Sequence, residues 1–204
     1  MNLPNKLTVS RLVLTVVFLF VIFIDFPGHE TIAFVIFAVA SITDYFDGRI
    51  ARERKLITNF GILMDPLADK ILTCSAFIAL VELKGLDYFV TLFGKTIEVQ
   101  VYAWMVCVIV GRELAITGLR MMAASKDVVL AAEGFGKHKT ISQMVSLTSL
   151  LVLISLKDWG AFGEMFAAWL PWFAFITLWI SVVLTLYSGT IYLWNNRNIY
   201  LDDM

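Results

Sequence analysis

Six apolar runs, at about 7–26, 31–50, 61–81, 99–122, 140–156 and 164–194, leave this chain few ways to fold. Hydrocarbon offers no partner to a backbone N–H or C=O, so a chain that crosses it must do so as helices or as a closed barrel. Barrel strands alternate in polarity over about ten residues. These runs are longer and do not alternate, which predicts helices. With 59% hydrophobic and 16% charged residues and a mean hydropathy of +0.81, composition points to the membrane as well. The expected fold is all-α, a polytopic membrane protein of six transmembrane helices forming one domain over 1–204, with Pro4 and Asn5 breaking off a short helix at the membrane surface. No cleavable signal peptide is expected, because the first run is too long and lacks a small-residue cleavage site. The polar stretch 82–98 reads as a loop, Pro66 as a candidate kink, and the sixth run as one helix containing Pro171.

Charge orients the runs. With the amino terminus inside, thirteen of the sixteen Lys and Arg residues fall on the inner side, and only Lys84, Lys95 and Lys157 fall outside. The positive-inside rule places both termini in the cytoplasm. The net charge of −1 identifies no partner, and basic residues spread along a membrane face do not suggest nucleic acid. Cys74 and Cys107 lie within apolar runs and read as buried thiols.

The second and third runs are not uniformly apolar. Between them stands DYFDGRIARERKLITNFGILMDPLADK, with Asp44 and Asp47 before a basic bend and Asp65 and Asp69 after it. Spacings of three and four residues put each pair on one helical face. An aspartate at membrane depth costs roughly 2.5–3.5 kcal/mol, so four would offset about twenty Leu or Ile. Divalent cations would reverse that sign, and an all-carboxylate donor set suits Mg²⁺ or Mn²⁺.

The string Asp44-x2-Asp47-Gly48-x2-Ala51-Arg52-x8-Gly61-x3-Asp65-x3-Asp69 resembles the signature of the CDP-alcohol phosphatidyltransferase family at every fixed position. The resemblance implies six helices and a homodimer in the cell's inner (cytoplasmic) membrane, with a two-metal site facing the cytoplasm. It implies that Asp44, Asp47 and Asp65 hold two ions and that Asp69 is the general base and a further ligand. Gly48, Ala51 and Gly61 would let cytidine diphosphate approach the helices closely, and Arg52 would fork onto the diphosphate of CDP-diacylglycerol. Asn5 and Thr8 resemble positions near the nucleotide. PNKLTVSR at 4–11, GRELAITGLR at 111–120, GKHKT at 136–140 with Gln143, and YSG at 187–189 resemble one branch of the family, the phosphatidylglycerophosphate synthases.

Arg112, Arg120, Lys137 and Lys139 form a second basic set on the inner side, with Glu113 the main acid nearby. A phosphorylated acceptor such as glycerol 3-phosphate needs such a set, whereas serine or choline does not. Positive-inside topology with anionic-lipid contact explains the same residues, and Arg11 can snorkel from a helix end. His29 and His138 read as solvated loop residues; Trp159, Trp169, Trp172 and Trp194 read as interfacial anchors and packing. Gly111 and Ala115 suit a small-xxx-small helix contact. A transporter with intramembrane carboxylates, a non-catalytic scaffold, and the same chemistry on inositol phosphate or phosphatidylglycerol remain alternatives.

Overall fold

The computed structural model describes the backbone of residues 3–54, 59–83, 86, 88–92, 94–126, 135–197 and 199. Side chains are described at 8–43, 67–68, 70–83, 86, 88–92, 94–124, 126, 138–197 and 199. Helices α1 (Leu3–Phe23), α2 (His29–Arg54) and α3 (Asn59–Glu82) precede a hairpin of β1 (Phe89–Leu92) and β2 (Lys95–Glu98). Helices α4 (Ala103–Ser125), α5 (Phe135–Ser155), α6 (Ala161–Ala167) and α7 (Leu170–Asn195) follow. Each of the six apolar runs is helical.

Four sequence expectations need correction. No separate helix precedes the first run: Pro4 sits in the opening turn of α1, where its missing N–H forfeits no hydrogen bond. The stretch 82–98 is not all loop, and the fold is not strictly all-α. β1 and β2 pair antiparallel from Phe89↔Glu98 to Leu92↔Lys95, in a segment rich in Phe, Val, Thr and Ile. Gly94 turns the hairpin at φ +75°, in the left-handed region open to glycine. The sixth run is two helices, with Pro171 in the first turn of α7 rather than inside a continuous span. Pro171, with no N–H to offer the preceding turn, suits the start of a new helix, and Gly163 lets α6 pack tightly on the 3₁₀ turn Leu156–Trp159, since a Cβ there would lie 2.3 Å from the Leu156 carbonyl oxygen. The thiols are not buried, because Cys74 is half-buried and Cys107 exposed. Helix α3 runs unbroken through Pro66.

Helix α1 lies against α2 and α3, α5 against α7 and α2, and α4 against α7 and α3. Phe18, Phe37, Phe77, Leu80, Leu147 and Leu150 anchor one continuous apolar core. Phe18 and Phe37 join α1 to α2 with ring centroids 6.0 Å apart. Between α5 and α7 the buried residues are small and partly polar, among them Ser146, Ser149, Ala174 and Ser181, which lets those helices approach closely. The outer surface carries Phe20, Val35, Ile78, Leu114, Ile141, Ile176 and Val183 exposed, a surface suited to lipid rather than water. His138–Trp159 and Leu170–Asn195 are each long and apolar enough to cross a bilayer.

One end of the bundle is tied by Asp158. Its Oδ2 accepts from the Thr31 backbone N–H (3.2 Å) and from the Thr31 hydroxyl (2.6 Å). The Trp159 indole N–H donates to the Thr31 hydroxyl at 3.1 Å. An N–H in the first turn of α2, which has no intrahelical acceptor, is thereby satisfied.

Candidate active site

The aspartate signature is helical on both sides of 55–58. Asp44, Asp47, Gly48, Ala51 and Arg52 lie on α2, and Gly61, Asp65 and Asp69 lie on α3. Their side chains, and those of Asn5 and Lys137, lie outside the described residues. Two helices joined by a short connection thus carry four oxygen-donor residues, which is donor chemistry suited to a hard divalent cation. Helix α1 packs on both of them and buries Thr8 and Arg11, each 1% exposed. Arg11 therefore does not snorkel to water; its guanidinium is enclosed on the helix that faces the aspartate-bearing pair.

The second basic set comes from two helices, α4 and α5, and is bonded by a third, α7. Arg112 on α4 donates from Nη1 to Glu113 Oε1 at 3.2 Å and from Nη2 to the Ser188 hydroxyl of α7 at 3.5 Å. Lys139, at the start of α5, donates to the same Glu113 oxygen. These side chains are nearly enclosed, at 13% exposure for Arg112, 12% for Glu113 and 5% for Lys139. Arg112 Nε has no hydrogen-bond partner among the described residues. The stem of Arg112 crosses α7 at Gly189, where an added Cβ would lie 2.7 Å from Arg112 Cγ. The YSG string earns its spacing here, with Ser188 bonding the guanidinium and Gly189 making room for the stem.

Arg120 lies two turns further along α4. Its Nε donates to the Tyr192 hydroxyl at 3.2 Å, and its guanidinium stands 5.5 Å from the centroid of that ring. Gln143 on α5 donates to the Thr185 hydroxyl of α7 at 3.0 Å. From the side of α3, Lys70 donates to the Thr117 hydroxyl, which donates in turn to the Glu113 carbonyl at 2.7 Å. Arg112, Arg120 and Lys139 are thus brought to one end of the bundle, alongside the helix that carries Asp65 and Asp69.

Tyr192, Thr117 and Lys70 escaped notice as site residues. Tyr192 lies 72 residues from Arg120 and Thr117 lies 47 from Lys70, separations at which a sequence carries no pairing signal. Gly111 and Ala115 are exposed, and among the described residues nothing lies within 4 Å of a Cβ placed on Gly111. They line an apolar groove of about 310 Å³ between α4 and α7, with Arg112 at its wall. His138 is exposed in the first turn of α5, and His29 is half-buried with its Nδ1 2.9 Å from the Phe26 carbonyl oxygen.

A family model for CDP-alcohol phosphatidyltransferase matches residues 1–187. A CDP-diacylglycerol–glycerol-3-phosphate 3-phosphatidyltransferase of Bacillus subtilis (strain 168) is 35% identical over 207 residues, covering 96% of this chain and 95% of that one. One of the same name from Rickettsia bellii is 34% identical, covering 94% and 93%. A probable phosphatidylglycerophosphate synthase of Mycobacterium tuberculosis (strain ATCC 25618 / H37Rv) is 34% identical, covering 94% of this chain and 79% of that protein. The match to the aspartate signature and the similarity along nearly the whole chain agree, and this chain belongs to the CDP-alcohol phosphatidyltransferase family.

Proposed function

We propose that the chain transfers the phosphatidyl group of CDP-diacylglycerol to glycerol 3-phosphate, giving phosphatidylglycerophosphate and CMP. The observation that carries this reading is the enclosed cluster of Arg112, Glu113 and Lys139 beside Arg120. It is a cationic cluster suited to a phosphomonoester, joined through Lys70 and Thr117 to the aspartate-bearing helix. The relatives named above carry the same activity in their names.

Asp44, Asp47, Asp65 and Asp69 would hold two divalent cations, Mg²⁺ or Mn²⁺, which neutralise charge on the transferred phosphoryl group when bound. Arg52 holds the diphosphate, while Gly48, Ala51 and Gly61, with Asn5 and Thr8 on α1, form the close wall for the nucleotide. Arg112, Arg120, Lys137 and Lys139 bind the phosphate of the acceptor and so aim its primary hydroxyl at the lipid-bearing phosphorus. Asp69 takes the hydroxyl proton as the new P–O bond forms and the bond to CMP breaks. Six helices span the cell's inner membrane with both termini cytoplasmic, and the site opens to the cytoplasm, where the water-soluble acceptor is met. The protein works as a homodimer.

The test is CMP release by purified protein in detergent with CDP-diacylglycerol and Mg²⁺, across glycerol 3-phosphate, inositol phosphate, phosphatidylglycerol, serine and no acceptor. Release with glycerol 3-phosphate alone is expected. Release only with another acceptor refutes the acceptor assignment. No release from folded, metal-loaded protein refutes the transferase reading and favours a transporter or scaffold.

A further inference from the structure

We propose that Glu113 is the positioning residue of the acceptor subsite, its carboxylate holding Arg112 and Lys139 side by side for the phosphate of an anionic acceptor. The inference rests on the reading of Arg112 and Lys139 as acceptor-phosphate cations. One oxygen, Glu113 Oε1, takes a hydrogen bond from both, across 26 residues of sequence and two helices.

A carboxylate is otherwise out of place here. Placed beside an anion site it repels the very ligand the site binds, and at 12% exposure water screens that repulsion little. Yet without it Arg112 and Lys139 would face each other as two nearly enclosed like charges. Arg112 would then keep only the long contact to Ser188, at 3.5 Å, to fix its direction. Its stem is already confined by Gly189, so the guanidinium has one remaining freedom, rotation about its last bonds. Glu113 removes that freedom and sets the Lys139 ammonium on the same side. Two cations pre-aligned in this way bind a phosphate without first being ordered by it.

Repulsion and positioning predict opposite signs for the isosteric change Glu113→Gln. If the carboxylate were only a repelling bystander, its neutralisation would lower KM for glycerol 3-phosphate. If it positions the cations, KM rises although a negative charge has been removed. The expected result is a KM for glycerol 3-phosphate raised about tenfold, the worth of one charge-assisted hydrogen bond. KM for CDP-diacylglycerol should stay within about twofold, since lipid binding does not depend on this pair. In a Lys139→Met background Glu113→Gln should raise KM by less than it does alone, because only Arg112 is then left for it to position.

A KM for glycerol 3-phosphate that falls or stays unchanged in Glu113→Gln overturns the proposal. So does an equal rise in both KM values, or full additivity with Lys139→Met, either of which marks a merely structural role. Should Glu113→Gln alone fail to fold, the double variant leaves no unpaired charge from this pair and is compared with Lys139→Met. A higher KM for glycerol 3-phosphate in the double variant, from the release of Arg112, then supports the proposal, and an equal or lower one overturns it. The underlying subsite reading is tested separately with Lys139→Met and Arg112→Ala. If those leave KM for glycerol 3-phosphate unchanged, the subsite reading itself falls and takes the proposal with it.

Discussion

Gly189→Ala offers a sharp test of how the proposed acceptor subsite is built, because it adds one methyl group and changes no charge. The new Cβ would lie 2.7 Å from Arg112 Cγ and 3.7 Å from both Arg112 Cβ and Nε. Carbon atoms do not approach to 2.7 Å without displacement, and Cγ is only two bonds from the backbone. Arg112 can yield only by changing its first side-chain torsion, which carries the guanidinium away from Glu113 and Ser188. If the side chain held and the helices parted instead, overpacking of this kind would cost about 1–3 kcal/mol. If the side chain yields, the loss is that of hydrogen bonds from a charged donor, about 1.5–3 kcal/mol. Converted at about 1.4 kcal/mol per decade, that is a rise in KM for glycerol 3-phosphate of roughly ten- to a hundredfold. CMP release with either substrate varied measures it, and thermal unfolding in detergent reports whether the helices have parted. In an Arg112→Ala background the methyl group has room, and Gly189→Ala should add little. An unchanged KM for glycerol 3-phosphate in Gly189→Ala, or additivity with Arg112→Ala, refutes the reasoning.

Other expectations follow from the remaining parts of the fold. Asp47→Asn should abolish CMP release while the protein stays extractable and folded; wild-type turnover in that variant removes the metal assignment. Asp69→Asn should lose turnover and keep CDP-diacylglycerol binding, measured by equilibrium binding of the labelled lipid, and loss of binding would recast Asp69 as chiefly a ligand. Asp158→Ala removes the acceptor that satisfies the Thr31 N–H and hydroxyl. By analogy with helix caps it should cost about 0.5–2 kcal/mol, read as a lowered unfolding midpoint with unchanged KM values. An unaltered midpoint would show that the contact contributes nothing.

What the sequence discloses about this fold depends on the length over which the signal runs. The long helices are legible because each is an apolar run of many consecutive residues, a pattern that one or two polar positions do not erase. The hairpin was missed because Phe89–Leu92 and Lys95–Glu98 are four residues each, too short for alternation to stand out in a polar stretch. The break between α6 and α7 is hidden in the sequence because Pro171 fits the first turn of a helix as readily as a kink inside one, and the apolar run continues across it. Within the site, the aspartates announce themselves by fixed intervals on two adjacent helices. Arg11 does not: a basic residue near a helix end looks alike whether it reaches water or is enclosed, and only the packing of α1 on α2 and α3 distinguishes them. The basic set was legible as a set, but its ordering partners Glu113, Ser188 and Tyr192 were not assigned, because hydrogen bonds between helices leave no trace in local sequence.

The same contacts explain why the two halves of such a site belong on one chain rather than on separable units. In-line transfer requires the attacking hydroxyl to stand within about 3–3.5 Å of phosphorus, so the acceptor pocket must be registered to the aspartate hairpin. Lys70 follows Asp69 directly on α3 and bonds Thr117 on α4. Thr117 bonds the Glu113 carbonyl, and the Glu113 carboxylate holds Arg112 and Lys139. Three steps of side-chain and backbone contact therefore lead from Lys70 to either cation, Arg112 on α4 or Lys139 on α5, and none passes through a loop. Because Lys70 and Thr117 join α3 to α4, which pack side by side, a shift of α3 relative to α4 is carried toward Glu113 and its cations. If Arg112 and Lys139 hold the acceptor and Asp69 takes its proton, as proposed, placement of the hydroxyl is tied to placement of Asp69 by the packing of α3 on α4.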